Sequence, residues 1–444
     1  MSQTTLMTMA TAATKQKVQS DLADQKAKYG VLKDANGKDF MVPDYTLAQI
    51  YDAIPKECFE RSVVKSLLYL FQDLALVTVT FLAFSKFNTP DHVPSIIIRS
   101  ALWVVYGTLQ MVFGCGIWIN AHECGHMAFS QHKTLNDTIG FLLHSAVLVP
   151  YFSWKISHKG HHKGVGSMAS DTAFTPPTRL GFMRSFNKSI EEIAECAEDA
   201  PITALIETVM KVLFTWQAYT FVMMGVGEFW FQRKAAKEGD KNPEMNEDGN
   251  IKRTYGLGGS LFNPYGPYFE DKDAKLVYLS DAAILATLGL LYLVGASYGW
   301  SDLMLWYAMP YVLINACVIF LASLQHTDAS IPRYDANTWT FIRGAASTID
   351  RDLGFLGRYL WHSLNETHVL HHHISTIPHY HARKATAAIK PIMGVHYRSN
   401  TSGLSNLRKT FGEVSKSCQW VESSEGSVGK GKGVLFYRGL ANVN

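Results

Sequence analysis

Eight histidines fall in three short clusters whose spacing suits metal ligation. The clusters are HECGH (122–126), HKGHH (158–162) and HVLHH (368–372). Within each, the imidazoles stand at i and i+4, or at i, i+3 and i+4, so on a helix they leave from one face. Imidazole is the commonest metal ligand among side chains. A lone histidine is ordinarily a hydrogen-bonded core or surface residue. Three clusters with this geometry, each beside apolar sequence, call for another explanation.

The elements that must position these clusters are membrane spans. In a chain of 444 residues, 47% hydrophobic and 12% aromatic, the apolar residues gather in a few long runs. Crossing a hydrocarbon core of about 30 Å takes roughly 20 apolar residues. Four runs meet that length or approach it, at about 67–84, 96–119, 282–298 and 303–324. Asp73 lies in the first and is costly in lipid, so it should face other helices or a cavity. Gly107, Gly114 and Gly116 in the second should permit close helix contact. Two further runs, 138–152 and 203–231, are interrupted by His144, Pro150, Glu207, Lys211 and Gln217 and read as interfacial or buried.

For all three clusters to meet on one membrane side, an even number of spans must separate the second from the third, and two do. The hairpin tip at 299–302 carries no Lys or Arg and the one at 85–95 only Lys86, so the positive-inside rule places the clusters and both termini in the cytosol. The formal charge of +3, from 41 Lys and Arg against 38 Asp and Glu, is too small to argue for a nucleic-acid partner. Six cysteines without a C-x-x-C pair argue against a disulfide framework. The first twenty residues lack an apolar h-region, so no cleaved secretory signal is expected.

The expected architecture is an all-α integral membrane protein, four transmembrane helices with a cytosolic helical cap carrying the clusters. Residues 1–42 read as a polar mobile tail with at most a frayed helix over 14–28, residues 43–420 as the membrane domain, and residues 421–444 as a flexible tail. Thr46 is the expected N-cap of a short helix ending near Pro55. The insert 233–275 reads as a polar loop followed by a Pro/Gly/aromatic half that caps the site or anchors on the membrane. Near the C-terminus, VLFYRG alternates as a strand would.

Several metal chemistries compete. HECGH also spells H-E-x-x-H, in which two histidines hold zinc and the glutamate is the general base of a metalloprotease. That reading leaves the other six cluster histidines without a task. A ferritin-like carboxylate di-iron protein needs two Glu-x-x-His pairs, and only Glu123–His126 is present. Haem uses one or two axial histidines. Eight or nine imidazoles are enough for two ions with positions left open to oxygen.

The three clusters, together with LQHTD (324–328), TIDRDLGFLG (348–357), ETHVLHH (366–372), the following IPHYHARKATAAIKP, IPKECFERS (54–62) and KTLNDTIGFLLHS (133–145), resemble the membrane-bound fatty acid desaturases, nearest the fungal and plant Δ12 (oleate) desaturases. The resemblance covers about 43–420. It implies metal ligation by His122, His126, His158, His161, His162, His368, His371 and His372, with His326 at the end of the fourth span as the ninth ligand. Glu123, Asp171, Asp328 and Glu366 are candidates to orient imidazoles. Two departures flank the metal site and bear on regiochemistry: Lys159-Gly160 within HKGHH followed by GVGSMASDTAF, and His373 where an apolar residue is usual. His373, His379 and His381 read as neighbouring or surface groups.

What the resemblance implies is oxygen-dependent desaturation at two iron ions, most simply oleoyl to linoleoyl on a membrane phospholipid. It also implies electrons from a separate cytochrome b5 and its NADH-dependent reductase, and residence in the endoplasmic reticulum membrane. An ω3 desaturase, hydroxylase, conjugase or acetylenase shares the same scaffold, and the zinc protease remains the different-class alternative.

Overall fold

The computed structural model describes residue 20 and residues 22–186, 189, 190, 192, 201–222 and 259–440. The chain enters through α1 (Leu47–Ala53), capped as expected: the Thr46 hydroxyl accepts from the Gln49 amide, and the Gln49 side chain accepts from the Thr46 amide. Two long antiparallel helices follow, α2 (Val63–Phe87) and α3 (Ile96–Gly125), started by the Ser62 and Ser95 hydroxyls at their N-caps. Next come α4 (Lys133–Ala146) and α5 (Tyr151–Gly164), then α6 (Pro201–Val222). A second long pair, α7 (Ala274–Tyr298) and α8 (Trp300–His326), turns at Gly299, whose φ of 106° suits glycine.

Among the described residues, four helical stretches are long and apolar enough to cross a membrane: Val63–Phe87, Ile96–Gly125, Asp271–Tyr298 and Trp300–His326. They contain all four expected runs. Their outer faces carry exposed side chains such as Leu68, Phe71, Val79 and Leu285, as a lipid-facing surface would. The interrupted run at 138–152 falls across α4 and α5, which meet at 107°. Of the run at 203–231, the part up to residue 222 is α6, whose Trp216 and Tyr219 are buried beside Trp154 and Leu321; the remainder lies outside the described residues.

Helix α3 is central and packs on α2, α4 and α8. Glycines make this possible: a Cβ at Gly114 would sit 2.3 Å from Ile314, and one at Gly116 would sit 2.7 Å from the Asp73 carboxylate. Asp73 is turned inward and is 1% exposed. It accepts from Asn120 Nδ2 and lies against His362 Nε2, each at 2.7 Å.

Beyond the spans stand α9 (His368–His373) and α10 (His379–Met393), with, among the described residues, five short strands. β1 (Pro332–Tyr334), β5 (Val434–Arg438) and β4 (Trp420–Ser423) form an antiparallel sheet in that order. β2 (Asp350–Arg351) and β3 (Ser399–Asn400) pair in parallel. The expected helical membrane architecture is observed, and the short strands stand beside the helices that carry the histidines. The strand foreseen in VLFYRG is β5.

Described parts of the two ends of the chain pack against each other. Tyr29, Leu32, Phe40 and Val42 are buried in a core shared with Tyr334, Val434 and Phe436. The Val31 amide donates to Gly426 O at 3.0 Å and the Val428 amide to Tyr29 O at 3.0 Å. Residues 29–42 and 420–438 pack this way because each supplies the few apolar residues that cover the other. The helix foreseen over 14–28 is observed over residues 22–29, and residues 1–19 lie outside the described set. In the insert, 233–258 lies outside the described residues, while Leu261, Tyr268 and Phe269 are buried in the core behind α5. Cys58, Cys115, Cys124, Cys317 and Cys418 are free thiols, and Cys196 is not among the described residues.

Candidate metal centre

The nine histidines arrive on four elements. His122 stands on the last turn of α3, and His126 is its C-cap. The chain then leaves through Met127 at φ 63°, a left-handed residue that ends the helix just beyond the second imidazole. Helix α5 brings His158, His161 and His162, α8 ends on His326, and α9 brings His368, His371 and His372.

These side chains sort into two groups. His122, His126, His158, His162 and His371 each bring a ring nitrogen to within 4.8 Å of one another, as do His161, His326 and His372. His368 joins the second group, its Nε2 lying 2.9 Å from His326 Nε2. The groups touch where His162 stacks on His372, ring centroids 4.1 Å apart. All nine residues singled out in the sequence therefore converge.

The nitrogen arrangement fits metal ions. The Nε2 atoms of His122, His126 and His158 form a triangle with sides of 3.0, 3.1 and 2.9 Å. A neutral imidazole has one N–H, so three mutually facing nitrogens cannot all be satisfied by one another. The buried Nε2 atoms of His162, His371 and His372 have no hydrogen-bond partner. Orphaned buried polar atoms are expensive, and a cation shared among them removes the cost. On α9, burial keeps the imidazoles unprotonated. His371 is lowered to about 3 by desolvation, with nearby His161 adding to the effect, and His368 and His372 lie well below the ordinary value for the same kinds of reason. Neutral imidazole is the form that binds metal.

The supporting shell is asymmetric. His161 Nδ1 lies 2.7 Å from Asp171 Oδ1, leaving Nε2 aimed at the second group. Burial would raise the Asp171 carboxyl, but the His161 ring beside it and the Arg333 charge hold it below the usual carboxylate range. The other three carboxylates singled out in the sequence touch no imidazole of the two groups. Glu123 accepts from the His379 amide at 3.0 Å, Glu366 from the Leu353 amide at 3.0 Å, and Asp328 pairs with Arg351 at 2.8 Å. Glu123 follows His122 directly, and adjacent helix residues do not share a face.

Sequence reasoning missed two clamps. Arg351 donates to Leu324 O at 2.8 Å and Thr327 O at 3.3 Å, capping α8 around His326. Its neighbour Asp350 accepts from the Val369 amide at 2.7 Å and so holds the start of α9. The fully buried Arg333 donates to His326 O and, at 3.0 Å, to Tyr437 Oη on β5. His373 turns away from the centre, its Nε2 2.9 Å from Tyr45 Oη and its Nδ1 2.7 Å from Val369 O. His379 packs against Tyr69 and His362, and His381 against Tyr380, as neighbouring groups.

A helical membrane protein in which helix ends converge on two adjacent groups of histidines has side chains placed so that they could hold metal ions. Comparison with known proteins agrees and narrows the class. The fatty acid desaturase family profile matches residues 99–402. An oleate hydroxylase of Claviceps purpurea is 42% identical over 423 residues, 94% of this chain and 86% of that protein. A Delta(12)-acyl-lipid-desaturase of Punica granatum is 34% identical over 94% of this chain and 95% of its own length. A Delta(12) fatty acid desaturase of Mortierella isabellina is 36% identical over 82% and 86%. The chain belongs to the fatty acid desaturase family, and it is an oxidoreductase of lipid metabolism.

Proposed function

We propose that the chain introduces a second cis double bond into an oleoyl group of a membrane phospholipid, giving linoleoyl. The observation that carries this reading is the pair of histidine groups gathered at the ends of long apolar helices in a chain of the desaturase family. His122, His126, His158, His162 and His371 would hold one iron ion, and His161, His326, His368 and His372 the other. Two irons held there supply the oxygen-dependent removal of two hydrogens from adjacent, unactivated methylenes. The chain's own part is positional: Asp171 sets the His161 tautomer, and Arg351 and Asp350 fix α8 and α9 against each other. Two electrons per turnover come from a separate cytochrome b5 and its NADH-dependent reductase. The site and both termini face the cytosol at the endoplasmic reticulum membrane.

One observation favours a second outcome on the same site. The 42% identity to an oleate hydroxylase extends along 94% of the chain, so replacing one hydrogen of the same oleoyl chain by a hydroxyl is the competing reaction. Expression in a host that makes oleate but no dienes, with mass-spectrometric location of double bonds and hydroxyls, decides between them. Linoleate is expected; a 12-hydroxy acid selects the competitor, and an unchanged lipid profile rejects both. Purified protein should carry about two irons per chain, whereas a single zinc would favour the protease reading of HECGH. His161→Ala should abolish product while the protein still inserts in the membrane.

A further inference from the structure

Apart from the metal centre, the described residues form a solvent-open cavity of about 230 Å³ between α10, β3 and the turn Leu356–Leu360. Its lining is charged with both signs, including Arg358, Arg383, Lys390, Asp352 and Glu366. Some of these are satisfied internally: Arg358 pairs with Asp352 at 2.7 Å. Others are not. Arg383 and Lys390 form no ion pair among the described residues; the Lys390 amine lies 4.7 Å above the Tyr397 ring. Thr386 is 3% exposed, and its buried hydroxyl has no partner. Glu366 Oε2 is likewise buried and unpartnered. Space for that carboxylate exists because residue 357 is glycine, whose Cβ would fall 1.9 Å from Glu366 Oε1.

The cavity opens at the polar edge of the apolar surface. Phe355 and Tyr359, on either side of Arg358, are 67% and 58% exposed, and Gln72 of α2 donates to Tyr359 O at 3.3 Å. Past Lys390, Ile392 and Val395 are also exposed. Aromatic and long cationic residues side by side are typical of the headgroup level of a bilayer. The metal centre is close: Thr367 lines this cavity and precedes His368.

We propose that this cavity binds the headgroup of a zwitterionic phospholipid. Arg383, Lys390 and the Thr386 hydroxyl take the phosphate, and Glu366 faces the ammonium. Cations without an ion pair and a hydroxyl without a partner call for an anion with several acceptor oxygens, and a carboxylate with one unpartnered oxygen in the same cavity calls for a cation on the same ligand. The lipid bound here is the carrier of the chain that reaches the histidines, so this part of the inference rests on the proposed reaction.

The test uses the full-length, metal-loaded protein in detergent and three soluble probes: dihexanoyl phosphocholine, dihexanoyl phosphatidylglycerol and coenzyme A. Wild type should bind the phosphocholine probe most tightly by calorimetry. The double variant Arg383→Ala/Lys390→Ala should weaken it roughly 10- to 100-fold, since two charge-assisted contacts are lost. Both residues are exposed, and unchanged iron content will show that the double variant is intact. Equal affinity of wild type and double variant overturns the site. Preference for coenzyme A overturns the lipid source, and preference for phosphatidylglycerol overturns the zwitterionic assignment. Lipid profiling reads the reaction separately: a double variant that binds normally while dienes still form removes the site and leaves the reaction standing. Headgroup binding without any modified chain does the reverse.

Discussion

Asp171→Asn is the sharpest test of how the metal centre is built. The native carboxylate is wholly buried. Oδ1 takes His161 Nδ1 at 2.7 Å and the amides of Ala173 and Phe174 at 2.9 and 3.2 Å, while Oδ2 takes the Gly166 amide at 3.3 Å. Asparagine keeps one acceptor oxygen but loses the charge, and it points an NH₂ at the Gly166 amide, donor against donor. Flipping the amide moves the clash onto His161 and the two other amides. A hydrogen bond to an ionised group contributes roughly 1.5–3 kcal/mol, and loss of such a support behind a ligating histidine costs roughly 10- to 100-fold in metal affinity. Because His161 belongs to the second group only, the loss should be confined to one ion. Iron per chain should fall from about two toward about one, with the weaker ion removed first by a competing chelator and the stronger one unaffected. Two irons with wild-type resistance to the chelator would refute the assignment of Asp171 as the residue that orients His161.

Three further outcomes follow from the same geometry. Arg351→Met strips the cap from Leu324 O and Thr327 O and leaves Asp328 without its cation, so thermal unfolding in detergent should report a loss of roughly 3 kcal/mol together with reduced iron; an unchanged midpoint argues against the clamp. Tyr437→Phe removes the hydroxyl that accepts from buried Arg333, a cost of about 1–3 kcal/mol for the orphaned donor, and a null result in the same melt would detach β5 from the site. Metal-free protein should lose stability in acid. The unfolded chain takes up a proton at His371 near the ordinary histidine value of about 6.5, whereas the folded chain resists until about 3. Acid therefore favours unfolding across that window, by about 2 kcal/mol near pH 5 for this residue alone. Denaturant midpoints of the metal-free protein at pH 7.5 and 5.5 check the sign, and a midpoint that rises in acid contradicts it.

The parts of this molecule that were legible in its sequence are those written in local periodicity. Histidines at i, i+3 and i+4 announced their common face, and four apolar runs announced the spans, because helix geometry alone links such spacings to directions. His326 was reachable only through the resemblance, being a single histidine at the end of a span. What escaped was long-range. Tyr29, Leu32, Phe40 and Val42 are spread among Lys, Asp and Gly, so no window around them looks like a core, and their partners stand some 400 residues away. Arg351 and Asp350 lie in TIDRD, where nothing marks one as the cap of α8 and the other as the anchor of α9. Among four candidate carboxylates only Asp171 reached an imidazole, a choice made by the turn after α5 rather than by residue type.

The two pockets consequently differ in what sustains them. The first draws four of its five imidazoles from α3 and α5, which pack together through Trp118 and Trp154. The second depends on the junction of α8, α9 and the small sheet, where Arg333 ties His326 to β5 and β5 covers the segment that opens the described chain. Disturbing the ends of the chain should therefore empty the second pocket before the first. The same asymmetry bears on the choice between double bond and hydroxyl. All nine histidines converge in a chain that matches both a desaturase and a hydroxylase along most of its length. These matches do not choose between the two outcomes; on the proposed reading, the residues that hold the histidines and the chain beside them would decide. The clamps on α8 and α9, closest to the less deeply supported pocket, are where that decision has room to vary.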